Sequence, residues 1–275
     1  MGICKNDVLF TKHVPHILEK IFFSLDYGSY KKCLEVNSAW NTLLTSERYQ
    51  RKRKDVYLEE ILKDEDELVT ASREGKSVEV IKLLCSGMVD VNCFGRTPGL
   101  ACWPDSTPLY EAAWNGHKNV VQILIDKGAD PNKANQWGQT PVNLAALAGH
   151  KDVVKLLLDK GADPNEASRS GTTPLHRASI EGHKYAVQLL LERGAEPNKT
   201  TYYDQDTPLH WAAFEGHLEV IQMLLEGGAN RSMTDDNGKT PVQLAATKGH
   251  SEVVQLLSSA TYFQEYGLQI RLNHI

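Results

Sequence analysis

The chain has 275 residues, and its hydrophobic fraction of 41% and charged fraction of 24% are typical of a soluble globular protein. The formal net charge of −5 at pH 7 argues against nucleic acid as the main ligand, because phosphate binding favours a basic surface. The five cysteines are odd in number and include no Cys-x-x-Cys pair, which favours a reducing compartment over a disulfide framework. Lys5, Asp7 and Lys12 interrupt the first apolar stretch, unlike in a signal peptide, and no stretch approaches the ~18 uninterrupted apolar residues of a membrane span. We therefore expect a cytoplasmic protein, which is also nuclear if residues 51–54 act as an import signal.

The first predicted element is a small helical segment at residues 10–50. Apolar residues follow Val14-Pro15 at helical spacing, and a second helical stretch leads to Trp40. A segment of this length buries too little surface to be stable alone, so its apolar faces need a partner. The residues that carry the pattern are Val14, Pro15, Ile17, Leu18, Ile21, Phe22, Leu25, Cys33, Val36 and Trp40.

This pattern resembles an F-box, which begins with Leu-Pro and ends with Val, a short polar step and Trp. The sequence departs from that family at Val14, which replaces the leading Leu, at Glu35, which replaces an apolar residue, and at residues 37–39. The resemblance implies docking on the Skp adaptor of a cullin–RING ubiquitin ligase, through all the residues of the pattern except Cys33. The alternative is that the segment forms a helical cap on the repeats that follow.

A connecting helix is predicted at residues 51–63, which are largely charged and contain neither Gly nor Pro. The basic run Arg51-Lys52-Arg53-Lys54 leaves two alternatives open, a nuclear import signal or a solvated helix face.

Three markers then recur in phase along the chain. Thr-Pro pairs begin at Thr107, Thr140, Thr173, Thr207 and Thr240, at spacings of 33, 33, 34 and 33 residues. Gly-His pairs keep the same step, from Gly116-His117 to Gly249-His250, and Gly-Ala-Asp/Glu-Pro-Asn ends three units. A fixed period of this length indicates an array of stacked repeats, because one unit cannot bury its apolar face alone.

Each unit is predicted to contain two helices separated by turns. Thr caps the first helix and Pro occupies its first position, where no backbone N–H is needed. Gly-His breaks that helix, and the second helix is apolar at helical spacing, as in Val153-Val154 and Leu156-Leu157. Gly161 and its equivalents are expected to end the second helix in the left-handed conformation.

The unit resembles the ankyrin repeat in its Thr-Pro-Leu-His form, at Thr173 to His176 and Thr207 to His210. The resemblance implies an all-α fold, in which the small F-box segment precedes a solenoid of helix-turn-helix units with β-turn fingers. A first, degenerate unit at residues 61–93 lacks Thr-Pro, and an inserted finger follows at 94–101. The remaining predicted segments are five units at 102–134, 135–167, 168–201, 202–234 and 235–258, and a C-terminal tail at 259–275.

Ankyrin proteins usually bind through a concave face, formed by the turn tips and the exposed ends of the first helices. The residues before four successive Gly-His pairs form what we call the stripe, namely Trp114, Leu147, Ile180 and Phe214. The turn tips carry Trp103, Trp137, Arg169, Tyr202 and Tyr203. Aromatic and Arg side chains are common anchors of protein interfaces, so we expect these nine residues to bind a target protein. The alternative is that they pack against neighbouring turn tips.

No phosphate loop, nucleophile elbow or His-Glu-x-x-His motif is present, and the Gly-His histidines lie one repeat apart rather than in a cluster. We therefore expect no catalytic residues, no metal and no cofactor. The leading hypothesis is a substrate-recognition subunit of an SCF-type ubiquitin ligase, with the Skp adaptor, a cullin and a target protein as partners. The competing hypothesis is an ankyrin scaffold or inhibitor with no connection to a ubiquitin ligase.

Overall fold

The computed structural model describes residues 63–85, 89–95 and 106–259. The chain divides into two compact units, Met1–Asp64 and Glu65–Ile275, and almost all described residues belong to the second. The predicted F-box-like segment, most of the connecting helix, most of the inserted finger and almost all of the tail lie outside the described residues.

Within these ranges the chain forms pairs of helices joined by tight turns, with one isolated antiparallel bridge between Gly95 and Ser106. Residues 63–73 are helical and precede α1 (Ser77–Cys85). The pairs that follow are α2 (Pro108–Trp114) with α3 (Lys118–Asp126), α4 (Pro141–Leu147) with α5 (Lys151–Asp159), α6 (Pro174–Ile180) with α7 (Lys184–Glu192), α8 (Pro208–Glu215) with α9 (Leu218–Glu226), and α10 (Pro241–Lys248) with α11 (Ser251–Ser258). None of the described helices is long and apolar enough to cross a membrane.

The Thr-Pro pair sets the start of each first helix. In α6, Thr173 has an extended backbone and its hydroxyl accepts a hydrogen bond from the backbone N–H of His176. The backbone N–H of Thr173 donates in return to Nδ1 of His176, over 3.2 Å. Pro174 occupies the first helical position, where a missing N–H costs nothing. The same capping box recurs at the start of α8.

The second helices are amphipathic, and all of them after α1 start directly after the His of a Gly-His pair. In α5, Val153, Val154, Leu157 and Leu158 are buried, whereas Lys155 on the opposite face is exposed. The apolar face of such a helix is buried when the helix packs against a neighbouring layer.

Like helices pack against like helices, so that the units form a two-layer solenoid. The first helices α2, α4, α6, α8 and α10 contact one another in order, and the second helices α1, α3, α5, α7, α9 and α11 form the other layer. Small side chains such as Ala145, Ala178 and Ala212, each 0% exposed, let the first helices approach closely. The buried apolar residues make one continuous core along the array. The predicted fold, an all-α solenoid of stacked helix pairs, is confirmed.

The Gly-His pair links each unit to the one before it. Nε2 of His183 lies 3.0 Å from the carbonyl oxygen of Leu147, at the end of the preceding first helix. The imidazole occupies the space beside Gly149, where an added Cβ would come within 2.6 Å of it. Equivalent hydrogen bonds are made by His117, His150, His217 and His250. These histidines therefore hold neighbouring units together.

The turns that precede the first helices form a second set of links. Backbone hydrogen bonds close these turns at residues 135–139, 168–172 and 201–206, and we call them the fingers. The N–H of Arg169 donates to the carbonyl of Trp137 in the preceding finger over 2.9 Å, and the next two fingers are joined in the same way. The fingers are thus fixed relative to one another by main-chain contacts.

Candidate binding surface

The predicted stripe lies at the C-terminal ends of four successive first helices. Trp114 is 37% exposed, whereas Leu147, Ile180 and Phe214 are half-buried. The ring of Phe214 is also covered by the ammonium group of Lys248, which lies 4.0 Å from the ring centroid. The stripe is therefore less exposed than its spacing alone predicts, and Trp114 offers its largest open surface.

The predicted finger residues are more accessible. Trp137, Tyr202 and Tyr203 are 39%, 65% and 75% exposed, and Arg169 is exposed as well. Trp103 lies outside the described residues. Large side chains on the tips of three adjacent fingers are thus open to a partner.

Three of these finger residues meet in one place, which we call the finger pocket. Trp137, Arg169 and Tyr203 come from three successive fingers and line a pocket of about 320 Å³. The rest of its lining is polar and consists of Gln139, Ser168, Ser170 and Arg177. Tyr202 does not line this pocket; its ring lies against Gly171, where an added Cβ would come within 2.9 Å of it.

One wall of the finger pocket is ordered by a chain of hydroxyl groups. Oγ of Ser168 lies 2.9 Å from Oγ of Ser170, which lies 2.8 Å from Oγ1 of Thr172. Ser168 Oγ also accepts a hydrogen bond from the backbone N–H of Thr172, over 3.3 Å. These bonds fix the serine hydroxyls in place before any ligand arrives.

A second wall is held by a buried tyrosine of α2. The hydroxyl of Tyr110 donates to Oε1 of Gln139 over 3.3 Å and accepts from Nδ2 of Asn135 over 3.1 Å. Oδ1 of Asn135 in turn accepts the backbone N–H groups of Trp137 and Gln139, each over 3.0 Å. Burial raises the pKa of Tyr110 to about 12, so the hydroxyl keeps its proton at neutral pH and continues to donate.

The most unusual group in the finger pocket is the guanidinium of Arg177, in α6. The equivalent positions of the adjacent first helices hold Leu144 and Trp211. Burial lowers the pKa of Arg177, although attraction to Tyr110 and Glu181 opposes that shift. Among the described residues the guanidinium makes no hydrogen bond and no ion pair. A half-buried cation without an anion is costly, which makes this position a candidate for ligand contact.

Sequence reasoning missed Arg177 and the polar lining. For Arg177 the sequence did contain a signal, because it is the one charged residue of α6. The other residues of that helix are small or apolar, apart from the capping His176. Gln139, Ser168 and Ser170 gave no comparable signal, because polar residues are ordinary in turns.

The other perturbed groups do not form a reactive cluster. Burial lowers the pKa of His176 to about 4, so its imidazole is neutral, and Nε2 lies 3.0 Å from the carbonyl oxygen of Asp206. Burial raises the pKa of the Cys93 thiol to about 12, which keeps it protonated. In the part of the chain that the structure describes, no group of three or more His, Cys, Asp or Glu is placed to hold a metal ion.

Comparison with protein families agrees with this architecture. The family model for ankyrin repeats, which spans three copies, matches residues 41–135, 109–201 and 198–266. The chain therefore belongs to the ankyrin-repeat family, and its repeats indicate a role in protein–protein interaction. No F-box domain is detected in the chain by family comparison.

Curated relatives match short stretches of the chain. Oxysterol-binding protein-related protein 1 of Rattus norvegicus is 38% identical over 76 residues, which are 26% of this chain and 8% of that protein. The Homo sapiens protein of the same name is 37% identical over 76 residues, with the same shares of 26% and 8%. Probable E3 ubiquitin-protein ligase XBOS33 of Oryza sativa subsp. japonica is 38% identical over 76 residues, 27% of this chain and 13% of that protein. The chain thus spans a small part of each relative.

Proposed function

We propose that this protein is the substrate-recognition subunit of an SCF-type cullin–RING ubiquitin ligase in the cytoplasm. Residues 10–50 dock on the Skp adaptor, and the ankyrin units at residues 61–258 hold the target protein. Ubiquitin transfer comes from the conjugating enzyme recruited by the cullin, and the chain itself performs no catalysis.

The finger pocket is the observation that supports target binding. Three adjacent fingers present exposed Trp137, Arg169 and Tyr203 around one concavity, and these residue types are enriched among the energetic anchors of interfaces. The main-chain bonds between fingers hold the side chains in register without a partner, which lowers the entropy lost on binding.

Support for adaptor binding comes from the sequence. Pro15 and Trp40 keep the separation of the F-box pattern, whereas a helical cap requires only apolar residues at helical spacing. The similarity to a protein named as a probable E3 ubiquitin-protein ligase is consistent with the proposal, although it covers 13% of that protein. The proposed contact set is Val14, Pro15, Ile17, Leu18, Ile21, Phe22, Leu25, Val36 and Trp40.

The test is co-purification of the full chain with the Skp adaptor. The wild type, the double variant Pro15→Ala/Trp40→Ala and the control Trp137→Ala are compared after co-expression. We expect a stoichiometric complex with the wild type and the control, and its loss in the double variant. The control also removes a tryptophan side chain, so it measures the effect of losing a tryptophan outside the proposed adaptor contact set.

The alternative is an ankyrin scaffold or inhibitor without a ligase connection. This alternative predicts that the wild-type chain does not bind the adaptor although it is folded, as a cooperative thermal transition would show. That outcome would reduce residues 10–50 to a cap on the array and would contradict the ligase assignment.

A further inference from the structure

The finger pocket contains two cations and no anion. Arg169 and Arg177 line it, and no Asp or Glu is part of the lining. Among the described residues, Glu181, one helical turn further along, is the carboxylate that raises the pKa of Arg177, and it does so without forming an ion pair. This local charge is opposite in sign to the net charge of −5 of the whole chain.

The two arginines differ in what they offer a ligand. Arg177 is half-buried and therefore partly desolvated, so a ligand anion gains interaction energy with a smaller further loss of water from this cation than from an exposed one. Arg169 is exposed on a finger tip, so the contact it offers to a ligand anion is weak and screened by solvent. The fixed fork of donors on each guanidinium matches the oxygens of a carboxylate or a phosphate.

The shape and lining of the pocket fit a polypeptide side chain. Its volume of about 320 Å³ is at the lower end for ligand sites, which suits one or two side chains better than a cofactor. Trp137 and Tyr203 flank the cations and are 39% and 75% exposed, so they can contact apolar residues next to the anion. The linked hydroxyls of Ser168 and Ser170 can supply one further O–H donor to the same anion, because the other proton is used in the bond between them.

We infer that the finger pocket binds an anionic side chain of the target protein, with Arg177 as the principal cation and Arg169 as the second. The shared chemistry is a group with two or three anionic oxygens, and its sources are the carboxylate of Asp or Glu and a phosphorylated hydroxyl. Apolar residues beside the anion contact Trp137 and Tyr203. The inference rests on the part of the proposed function that assigns target binding to the ankyrin units, and it is independent of adaptor binding.

The probe is a displayed library of random 12-residue peptides, selected against the immobilised full chain. We expect enrichment of peptides with Asp or Glu fixed at one position, next to an apolar residue. One enriched peptide is then synthesised with the acidic residue, with Ser and with phosphoserine at that position, and its Kd is measured for each form. Tighter binding of the phosphoserine form identifies a phosphorylated target, whereas tighter binding of the acidic form identifies an acidic one; in both cases the Ser form binds at least about tenfold more weakly.

Variants of the chain assign the contact. Arg177→Gln is expected to weaken binding of the acidic peptide about 10- to 100-fold, as for the loss of a charge-assisted hydrogen bond, and Arg169→Gln only a few-fold. A peptide library selected against Arg177→Glu is expected to enrich Lys or Arg, in place of Asp or Glu, at the fixed position. The control is Lys155→Glu on α5, which changes the net charge by as much as Arg177→Glu does but lies on an exposed second-helix face; its Kd should equal that of the wild type.

A thermal transition distinguishes a binding residue from a structural one. Removing a half-buried, unpaired charge should leave the Tm of Arg177→Gln unchanged or raised, while its affinity falls. The inference is overturned if the selection enriches no peptide or no acidic position. It is also overturned if Arg177→Gln binds the acidic peptide like the wild type, or if Lys155→Glu weakens binding equally. A fall of several degrees in the Tm of Arg177→Gln would likewise overturn it. Peptides that are lost with Trp137→Ala but unaffected by Arg177→Gln would keep the ankyrin units as the target site and refute the anion contact.

Discussion

The glycine of each Gly-His pair before the last meets two separate demands, a left-handed backbone and an empty volume for the imidazole of the next unit. Gly149 has a φ of +73°, and an added Cβ would lie 2.6 Å from the ring of His183. Gly161, at the end of α5, has a φ of +90° and nothing within 4 Å of such a Cβ. The two positions therefore share the backbone demand and differ in the steric one.

Alanine substitutions separate these two costs. Gly161→Ala should lower the free energy of unfolding by about 1–2 kcal/mol, the cost of placing a residue with a Cβ in the left-handed region. Gly149→Ala should cost at least ~1 kcal/mol more, because the His183 ring must move from its bond to the Leu147 carbonyl. Urea unfolding of both variants measures the difference, and equal losses would show that the imidazole moves aside without penalty.

The capping histidine of α6 makes stability depend on pH. Burial lowers the pKa of His176 from 6.5 to about 4, whereas the unfolded chain binds the same proton near the ordinary value. As the pH falls from 6.5 to 4, the unfolded state gains a proton that the folded state does not accept, so folding stability is lost. The loss is up to about 1.4 kcal/mol per pH unit and on the order of 3 kcal/mol over the window. Burial also lowers the pKa of His210, which adds a loss of the same sign.

His176→Asn should flatten this dependence while keeping a side-chain hydrogen bond to the threonine that precedes the helix. The chain already uses Asn143 at the equivalent position of α4, where Nδ2 donates to Oγ1 of Thr140 over 3.0 Å and to the carbonyl of Glu166 over 3.2 Å. Urea midpoints between pH 7.5 and pH 4.5 give the slope for each protein. An unchanged slope in the variant would assign the acid sensitivity to other groups.

Asp206 provides a comparison for that experiment, because its effect on the pH dependence of stability has the opposite sign. Burial, reinforced by Asp235 and Asp204, raises its pKa from 3.8 to about 6, so the folded state binds this proton more tightly than the unfolded state. Its contribution therefore increases stability as the pH falls through 6. Asp206→Asn should steepen the acid loss, the opposite of His176→Asn.

At the scale of helices, the first described unit is joined to the second by an ion pair. Nε and Nη2 of Arg73, at the end of the helical residues 63–73, donate to the two carboxylate oxygens of Glu111 in α2 over 2.9 and 3.1 Å. The Glu111 side chain is 8% exposed, and the equivalent positions of α4 and α10 hold Leu144 and Leu244. An apolar side chain is thus compatible with this position, whereas an unpaired carboxylate is costly there.

Arg73→Leu should therefore destabilise the protein by about 2–3 kcal/mol, less than for a fully buried pair because water reaches the arginine. The double variant Arg73→Leu/Glu111→Leu should recover most of that loss, because no buried charge remains. A double-mutant cycle from urea unfolding gives the coupling energy. Additive losses would contradict the view that the unpaired carboxylate causes the destabilisation.

The helix pairs could be predicted from the sequence because each marker has a local physical meaning. Thr173-Pro174 caps a helix start and Gly161 ends a helix wherever they occur, so a period of 33 or 34 residues specifies the whole array. The positions of Trp137 and Arg169 on finger tips followed from the same period. Their convergence with Arg177 could not be predicted, because three fingers and one helix meet only through the rise and twist of the stacked units. The half-burial of Leu147, Ile180 and Phe214 could not be predicted either, because it also depends on how neighbouring units stack.

For the whole molecule, adaptor binding and target binding should be independent. Repeat units contact mainly their neighbours, so a substitution in α6 has little effect on distant units. Trp40→Ala should weaken adaptor binding and leave the Kd of the selected acidic peptide unchanged, and Arg177→Gln should do the reverse. The double variant should show both losses, additive within about 0.5 kcal/mol for each ligand. If the N-terminal segment is instead a cap, Trp40→Ala should lower the Tm, and the wild type should bind no adaptor. Titration of both ligands against the four proteins, with a thermal transition for each, therefore decides between a substrate receptor and a capped scaffold.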